Sequence, residues 1–276
     1  MNCTLEFKPL VLRLSVASLV LVAAACASKP TGLPRPLANR AEREKHSYIY
    51  YLDGAGGGTA KKNWVGGVEQ GFLEAGYPGA GELFSWETGK GLNADQMASV
   101  EYKRQKADKL AKSIQQRVEK YPGVPVDLLG FSAGTAEVVF AMEALPEMAQ
   151  IDTVVLLGAS LSHDYDLTKM LKRLKGKMYV YTSTHDRMVG FFMKFSGSAD
   201  RKYHDAGADI HGFVLPNGAT DETRRLYAEK IVNIKWNKEF EKDGDRGHHF
   251  DNVKMEFIRD QVAPLFMGKR VLGMPD

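Results

Sequence analysis

Five residues, Gly130-Phe131-Ser132-Ala133-Gly134, stand between two runs of different character. Residues 126–129, Val-Asp-Leu-Leu, are short and apolar enough for a strand buried in a parallel sheet. Residues 135–145 are rich in Ala and Val and long enough for a helix. A chain that passes from strand to helix in so few residues must turn sharply. Glycine two places before and two places after the serine lets helix and strand approach closely, and it leaves Ser132 at a strained backbone position. A parallel strand also requires neighbours joined by crossover helices, so the rest of the chain must supply them.

It does so in alternation. Residues 48–52 are a β-rich run that ends at Asp53-Gly54-Ala55-Gly56-Gly57-Gly58. Trp64, Val65, Val68 and Phe72 then fall at helical spacing, 76–79 read as a turn, and 81–86 as the next strand. The longest helical pattern covers 94–120, with Ala107, Leu110, Ala111, Ile114 and Val118 on one face, and Pro122 and Pro125 stop it. Strands are expected at 153–157 and 177–182, with a basic helical stretch at 170–174 between them. An irregular region spans 187–220, then a helix at 221–229 and a strand at 231–236. A final helix places Met255, Ile258, Val262 and Leu265 on one face. The pattern predicts an α/β fold, a mostly parallel sheet with helices on both faces.

The start of the chain has another character. Lys8 and Arg13 precede an uncharged apolar run over 14–25, too short for a bilayer-spanning helix, which ends in Ala23-Ala24-Ala25-Cys26. Small residues before a cysteine resemble a bacterial lipoprotein signal, although Ala23 stands where that pattern more often has leucine. The resemblance implies a signal peptide over 1–25, lipidation of Cys26, and attachment to a membrane through acyl chains. Residues 26–45, with Pro30, Pro34 and Pro36, read as a flexible tether and 46–276 as one domain. No aspartate follows Cys26, which favours an outer-membrane position facing the periplasm over the inner membrane. The only cysteines are Cys3 and Cys26, so the mature chain has no disulfide. The net charge of +3 is small and its basic residues are scattered, which excludes a nucleic-acid footprint. Nothing in the pattern speaks to oligomeric state.

Reactive groups in open α/β sheets collect outside the carboxyl ends of the strands. The segments at those ends are Asp53-Gly54-Ala55-Gly56, Ser132, Thr184-His185-Asp186 and Gly247-His248-His249-Phe250. The order Ser, Asp, His, each after its own strand, resembles the α/β-hydrolase fold of esterases, lipases and thioesterases over roughly residues 48–266. The segments Phe84-Ser85-Trp86-Glu87-Thr88-Gly89, Asp164-Tyr165-Asp166-Leu167 and 179–186 are similar to a group of bacterial hydrolase-like proteins.

The resemblance implies a serine ester hydrolase working through an acyl-enzyme on a small-molecule or lipid-like ester, with no cofactor. Ser132 is the expected nucleophile. His249 is favoured as base because Phe250 offers it an apolar wall; His248, directly after Gly247, is the rival. His46, His163, His185, His204 and His211 have no supporting context. Asp186 is the expected acid, with Asp164 and Asp166 as rivals. Backbone N–H groups of Ala133 and of Ala55 or Gly54 are the expected oxyanion donors, with Asp53 where many relatives carry histidine. The glycine run lacks the nucleotide-loop and dinucleotide fingerprints, and Asp243, Asp245, His248, His249 and Asp251 match no common metal-site spacing, so no metal is expected. Residues 191–195, Phe-Phe-Met-Lys-Phe, read equally as a lid over an acyl pocket and as a core helix. The alternative function is a non-catalytic envelope lipoprotein that keeps the fold as a binding or scaffolding module.

Overall fold

The structure, a computed structural model, describes residues 39–58, 63–189, 196–203 and 207–275. The expected signal over 1–25, Cys26, most of the tether, the stretch 191–195 and His204 lie outside the described residues.

Helix α1 (Arg40–Arg43) leads into β1 (Tyr48–Leu52), α2 (Val68–Glu74), β2 (Ala80–Leu83), α3 (Leu92–Gln96) and α4 (Val100–Lys120). Next come β3 (Val126–Phe131), α5 (Gly134–Ala144), β4 (Val154–Leu157), α6 (Thr168–Leu171) and β5 (Met178–Thr182). Then follow α7 (Ala208–His211), α8 (Asp221–Lys230) and β6 (Ile231–Lys235). The six strands make one sheet in the order β2-β1-β3-β4-β5-β6. Every strand pair is parallel, so the sheet expected as mostly parallel is parallel throughout the described residues. This is the α/β-hydrolase arrangement, with the serine turn on the central strand β3.

Side chains alternate across a strand, and the alternation builds two cores. Tyr48, Tyr50 and Leu52 of β1 join Leu128, Val154 and Val180 on one face of the sheet, under Leu110 and Ile114 of α4, Val138 of α5 and Leu226 of α8. Ile49 and Tyr51 join Leu129, Phe131 and Val155 on the other, under Val68 and Phe72 of α2 and the C-terminal turns. Each fully buried Leu, Ile or Phe contributes roughly 2 kcal/mol, so both faces of the sheet contribute to holding the domain together.

The strand order also places the site. After β1 the chain forms β2 on one side, then crosses back to lay β3 on the other. The following helices α2 and α5 pack on opposite faces. A crevice therefore opens between the carboxyl ends of β1 and β3, where ligands bind in sheets of this kind.

Three expectations need correction. The helix read over 94–120 is two helices, because Ser99 caps α4 by accepting the Tyr102 N–H at 3.0 Å. The final helix is a short α-turn (Met255–Phe257), a π-turn (Ile258–Val262) and a 3-10 turn (Ala263–Met267). Pro264 has no N–H to continue a regular ladder, yet the expected face stays buried through Ile258, Val262 and Leu265. Third, packing begins before residue 46. Within the expected tether, Arg40 reaches the Tyr48 hydroxyl and Glu82, and Arg43 donates to the carbonyls of Gly79 and Tyr77. Arg117 donates to the Glu44 carbonyl at 2.8 Å while its guanidinium lies 3.5 Å from the Tyr48 ring centre.

Candidate active site

Ser132 has φ +51°, one of three described residues other than glycine with positive φ. That conformation costs an L-residue about 1–2 kcal/mol, and its surroundings hold it. The Ser132 N–H donates to the Leu157 carbonyl at 2.8 Å, and the Ser132 carbonyl accepts the Thr135 N–H and hydroxyl at 3.0 and 2.6 Å. The flanking glycines are required by contact. A β-carbon on Gly130 would lie 2.8 Å from Thr135 Cα, and one on Gly134 would lie 2.5 Å from the Asp53 carbonyl oxygen. Helix α5 thus starts directly against the ends of β1 and β3, with Ser132 at the crevice.

The histidine comes from the loop after β6. There the Gly247 N–H donates to Asp245 at 2.7 Å and the Ser183 hydroxyl donates to the Gly247 carbonyl at 2.7 Å. Asp251, paired with Lys254, accepts the Arg246 N–H at 3.1 Å. This bonding turns the two neighbouring histidines in opposite senses. His248 is exposed, whereas His249 is 6% exposed, its ring 4.9 Å from that of Phe131 and 5.1 Å from that of Phe250. His249 Nε2 lies 3.0 Å from Ser132 Oγ, and Nδ1 lies 2.6 Å from Asp186 Oδ2. A carboxylate oxygen only accepts, so Nδ1 carries the proton and the Nε2 lone pair is free to accept from the serine hydroxyl. Asp186 is oriented by its own turn, because Oδ1 accepts the N–H groups of Met188 and Val189 at 3.0 and 3.2 Å.

The structure thus brings Ser132, His249 and Asp186 together. The rivals stand elsewhere: Asp164 pairs with Lys202 at 3.0 Å, and Asp166 accepts the Thr168 N–H at 2.9 Å. His185 packs against Trp236, with ring centres 4.3 Å apart and ring planes inclined by 54°. Among the described residues, no group of three or more His, Cys, Asp or Glu side chains could hold a metal ion.

The glycine loop treats the N–H groups of Gly54 and Ala55 differently. The Gly54 N–H is taken by Asp53 Oδ1 at 2.7 Å, that of Gly56 by Asp95 at 2.8 Å, that of Gly57 by the Gly54 carbonyl at 3.0 Å and that of Gly58 by Asp53 Oδ2 at 2.8 Å. Among the described residues, no acceptor meets the N–H of Ala55 or of Ala133. In a trans peptide the N–H points opposite to the preceding C=O. Because the Gly54 carbonyl turns into the loop toward Gly57, the Ala55 N–H points out of it. Both Ala55 and Ser132 line a cavity of about 40 Å³ whose other walls include Trp64, Leu92, Phe131 and Met188.

Asp53 would place a charge beside Ser132 if it faced the cleft. It is fully buried and faces away, into the loop, where it also accepts the Trp64 N–H at 2.8 Å. Burial pushes its carboxyl up to about 6, against the opposing pull of those backbone N–H groups. Asp53 therefore shapes the loop. Asp95 of α3 was missed by sequence reasoning: it ties Gly56 to Thr88, whose N–H and hydroxyl it accepts at 2.7 and 2.5 Å. No local pattern marks it, since its partner Gly56 is 39 residues away.

No protein-family model matches the chain, and no curated protein matches it in sequence. Solved structures similar in shape include lipase B of Aspergillus fumigatus, at 11% identity and TM-score 0.47, covering 95% of this chain and 62% of that one. The chain thus spans less than two thirds of the lipase. The thioesterase domain SrfTE, described for cyclization of the lipopeptide antibiotic surfactin, is matched at 10% identity and TM-score 0.42 over 89% of this chain and 100% of that one. Esterase 2 of Thermogutta terrifontis is matched at 11% identity and TM-score 0.42 over 84% of each chain. Likenesses this distant carry no argument about activity.

Proposed function

We propose that this protein is a serine ester hydrolase. The observation that carries the reading is the unbroken line from Ser132 Oγ to His249 to Asp186, at 3.0 and 2.6 Å, beside two backbone N–H groups that no acceptor among the described residues occupies. His249 Nε2 takes the Ser132 proton as Oγ attacks the ester carbonyl. The N–H groups of Ala133 and Ala55 stabilise the oxyanion that forms. His249 then protonates the departing alcohol, and a water activated by the same nitrogen hydrolyses the acyl-enzyme. Asp186 stabilises the imidazolium in both halves. The apolar cleft walls suit the acyl part of a carboxylic or lipid-like ester.

The test is active-site labelling with a fluorophosphonate probe, together with hydrolysis of nitrophenyl esters of increasing chain length. Wild type is expected to label and turn over, and Ser132→Ala to do neither. A folded wild type that neither labels nor hydrolyses any ester counts for the scaffolding alternative.

The chain is further proposed to be a lipoprotein of the bacterial envelope, outer membrane favoured, attached through Cys26. The support is the run Ala23-Ala24-Ala25-Cys26 after a short apolar segment. Cells fed an alkyne-tagged palmitate are expected to label wild type and not Cys26→Ser; equal labelling of both would end the idea.

A further inference from the structure

Behind the acid of the triad lies a second, smaller cavity, of about 20 Å³, room for about one water molecule. Asp186 lines it and His249 does not; the other polar walls include Asp209, Asp245 and Asn252. Asp209 is 1% exposed, and among the described residues neither of its carboxyl oxygens has a hydrogen bond of good geometry, though its own N–H and that of Ile210 lie close enough to pull on it; Asn252 Oδ1 likewise has none. The position of Asp209 is nonetheless fixed. Its carbonyl accepts the Ser183 N–H at 2.8 Å, and the Ser183 carbonyl accepts the Asp186 N–H at 3.3 Å. One tight turn after β5 therefore holds both aspartates.

Three carboxyl groups, those of Asp186, Asp209 and Asp245, meet around this cavity. Carboxylate and amide oxygens only accept, and one water brings two protons. Asp186 has already committed Oδ1 to two backbone N–H groups and Oδ2 to His249. An ionised Asp209 would set a second negative charge near it, with its own side chain buried. Burial, reinforced by the charge of Asp186, pushes the Asp209 carboxyl up to about 8. Burial likewise raises Asp245 to about 7. The titratable groups that face the cavity are Asp186 and Tyr181, from β5 and its turn, and Asp245 and His248, from the loop before His249. Asp251 and Lys254 act on Asp245 from beyond it.

We infer that Asp209 is a positioning residue: its neutral carboxyl donates, through one water held in this cavity, to Asp186, and so steadies the acid against His249. The inference rests on the triad reading above. Among the described residues, no three His, Cys, Asp or Glu side chains are placed to hold a metal ion.

Two variants and one structure test it. Asp209→Asn keeps the size and a donor but cannot ionise; Asp209→Leu removes the donor. At pH 7 the Asn variant is expected to hold kcat within about twofold, while Leu lowers kcat about tenfold at unchanged KM, through misplacement of the triad. Wild-type kcat is expected to fall as pH rises through about 8, where Asp209 ionises, and the Asn variant to stay level. An Asn variant that follows the wild-type fall, or a Leu variant with undiminished kcat, overturns the inference. A crystal structure of wild type decides the same point without turnover. Density for a water bonded to both Asp209 and Asp186 supports it, and a dry cavity or a bound cation overturns it. If no ester is hydrolysed but the water is present, the triad reading fails and the bridge stands.

Discussion

Replacing His249 by alanine is expected to lower kcat/KM by about a millionfold, the scale seen when a serine hydrolase loses its base. The same change at His248 is expected to stay within about tenfold, since it removes no transition-state contact. The contrast is sharp because the two residues are adjacent and chemically identical. They differ only in direction: His249 is buried between Phe131 and Phe250 and bonded at both ring nitrogens, while His248 is exposed. Steady-state hydrolysis of the best ester in the chain-length series, with thermal unfolding as a folding control, reads both variants. A folded His249→Ala enzyme that keeps activity while His248→Ala loses it would move the base by one residue.

The second large effect is expected at Gly134. A β-carbon there would lie 2.5 Å from the Asp53 carbonyl oxygen and 2.7 Å from that of Leu52, and both are backbone atoms of β1 or its end. Neither can rotate away, so α5 must lift off the sheet. Overpacking of this kind costs about 3 kcal/mol, which lowers Tm by roughly 6–12 °C for a domain of this size. The lift also moves the Ala133 N–H and Ser132 together, and a displacement near 1 Å is worth about 100-fold in rate. Gly134→Ala is therefore expected to lose stability and kcat in parallel, read by thermal unfolding and by turnover per folded molecule. A variant with wild-type Tm and kcat would show that α5 and β1 are farther apart than described.

What was legible beforehand follows from range of interaction. The strands and the serine turn are written locally, in short apolar runs and in glycines two residues either side of Ser132, so their positions can be read without a structure. The chain order of Ser132, Asp186 and the histidine pair was legible because each follows a strand. The choice between His248 and His249 was not. It depends on how Asp245, Ser183 and Asp251 bond the intervening loop, over separations of up to 64 residues. Ala55 could not be told from Gly54 for the same reason, because the decision lies in which N–H the carboxyls of Asp53 and Asp95 occupy. Asp209 was invisible: nothing in its neighbours announces a buried carboxyl behind Asp186. The break at Ser99 was a missed cap, since the run over 94–120 is periodic enough to hide it.

Helix α1 has a consequence for how the molecule can be presented. It is bonded at the start of β1 and β2 through Arg40 and Arg43, and Arg117 of α4 donates to the carbonyl of Glu44 at its end. Ser132 and Ala55 lie past the opposite ends of the strands, and the five residues of β1 alone separate the two by about 16 Å. The described chain therefore begins, at Asn39, at the base of the sheet. The cleft beside Ser132 opens at the far end of the strands from Asn39, so a bulky group coupled at that end of the domain is expected to leave the cleft open.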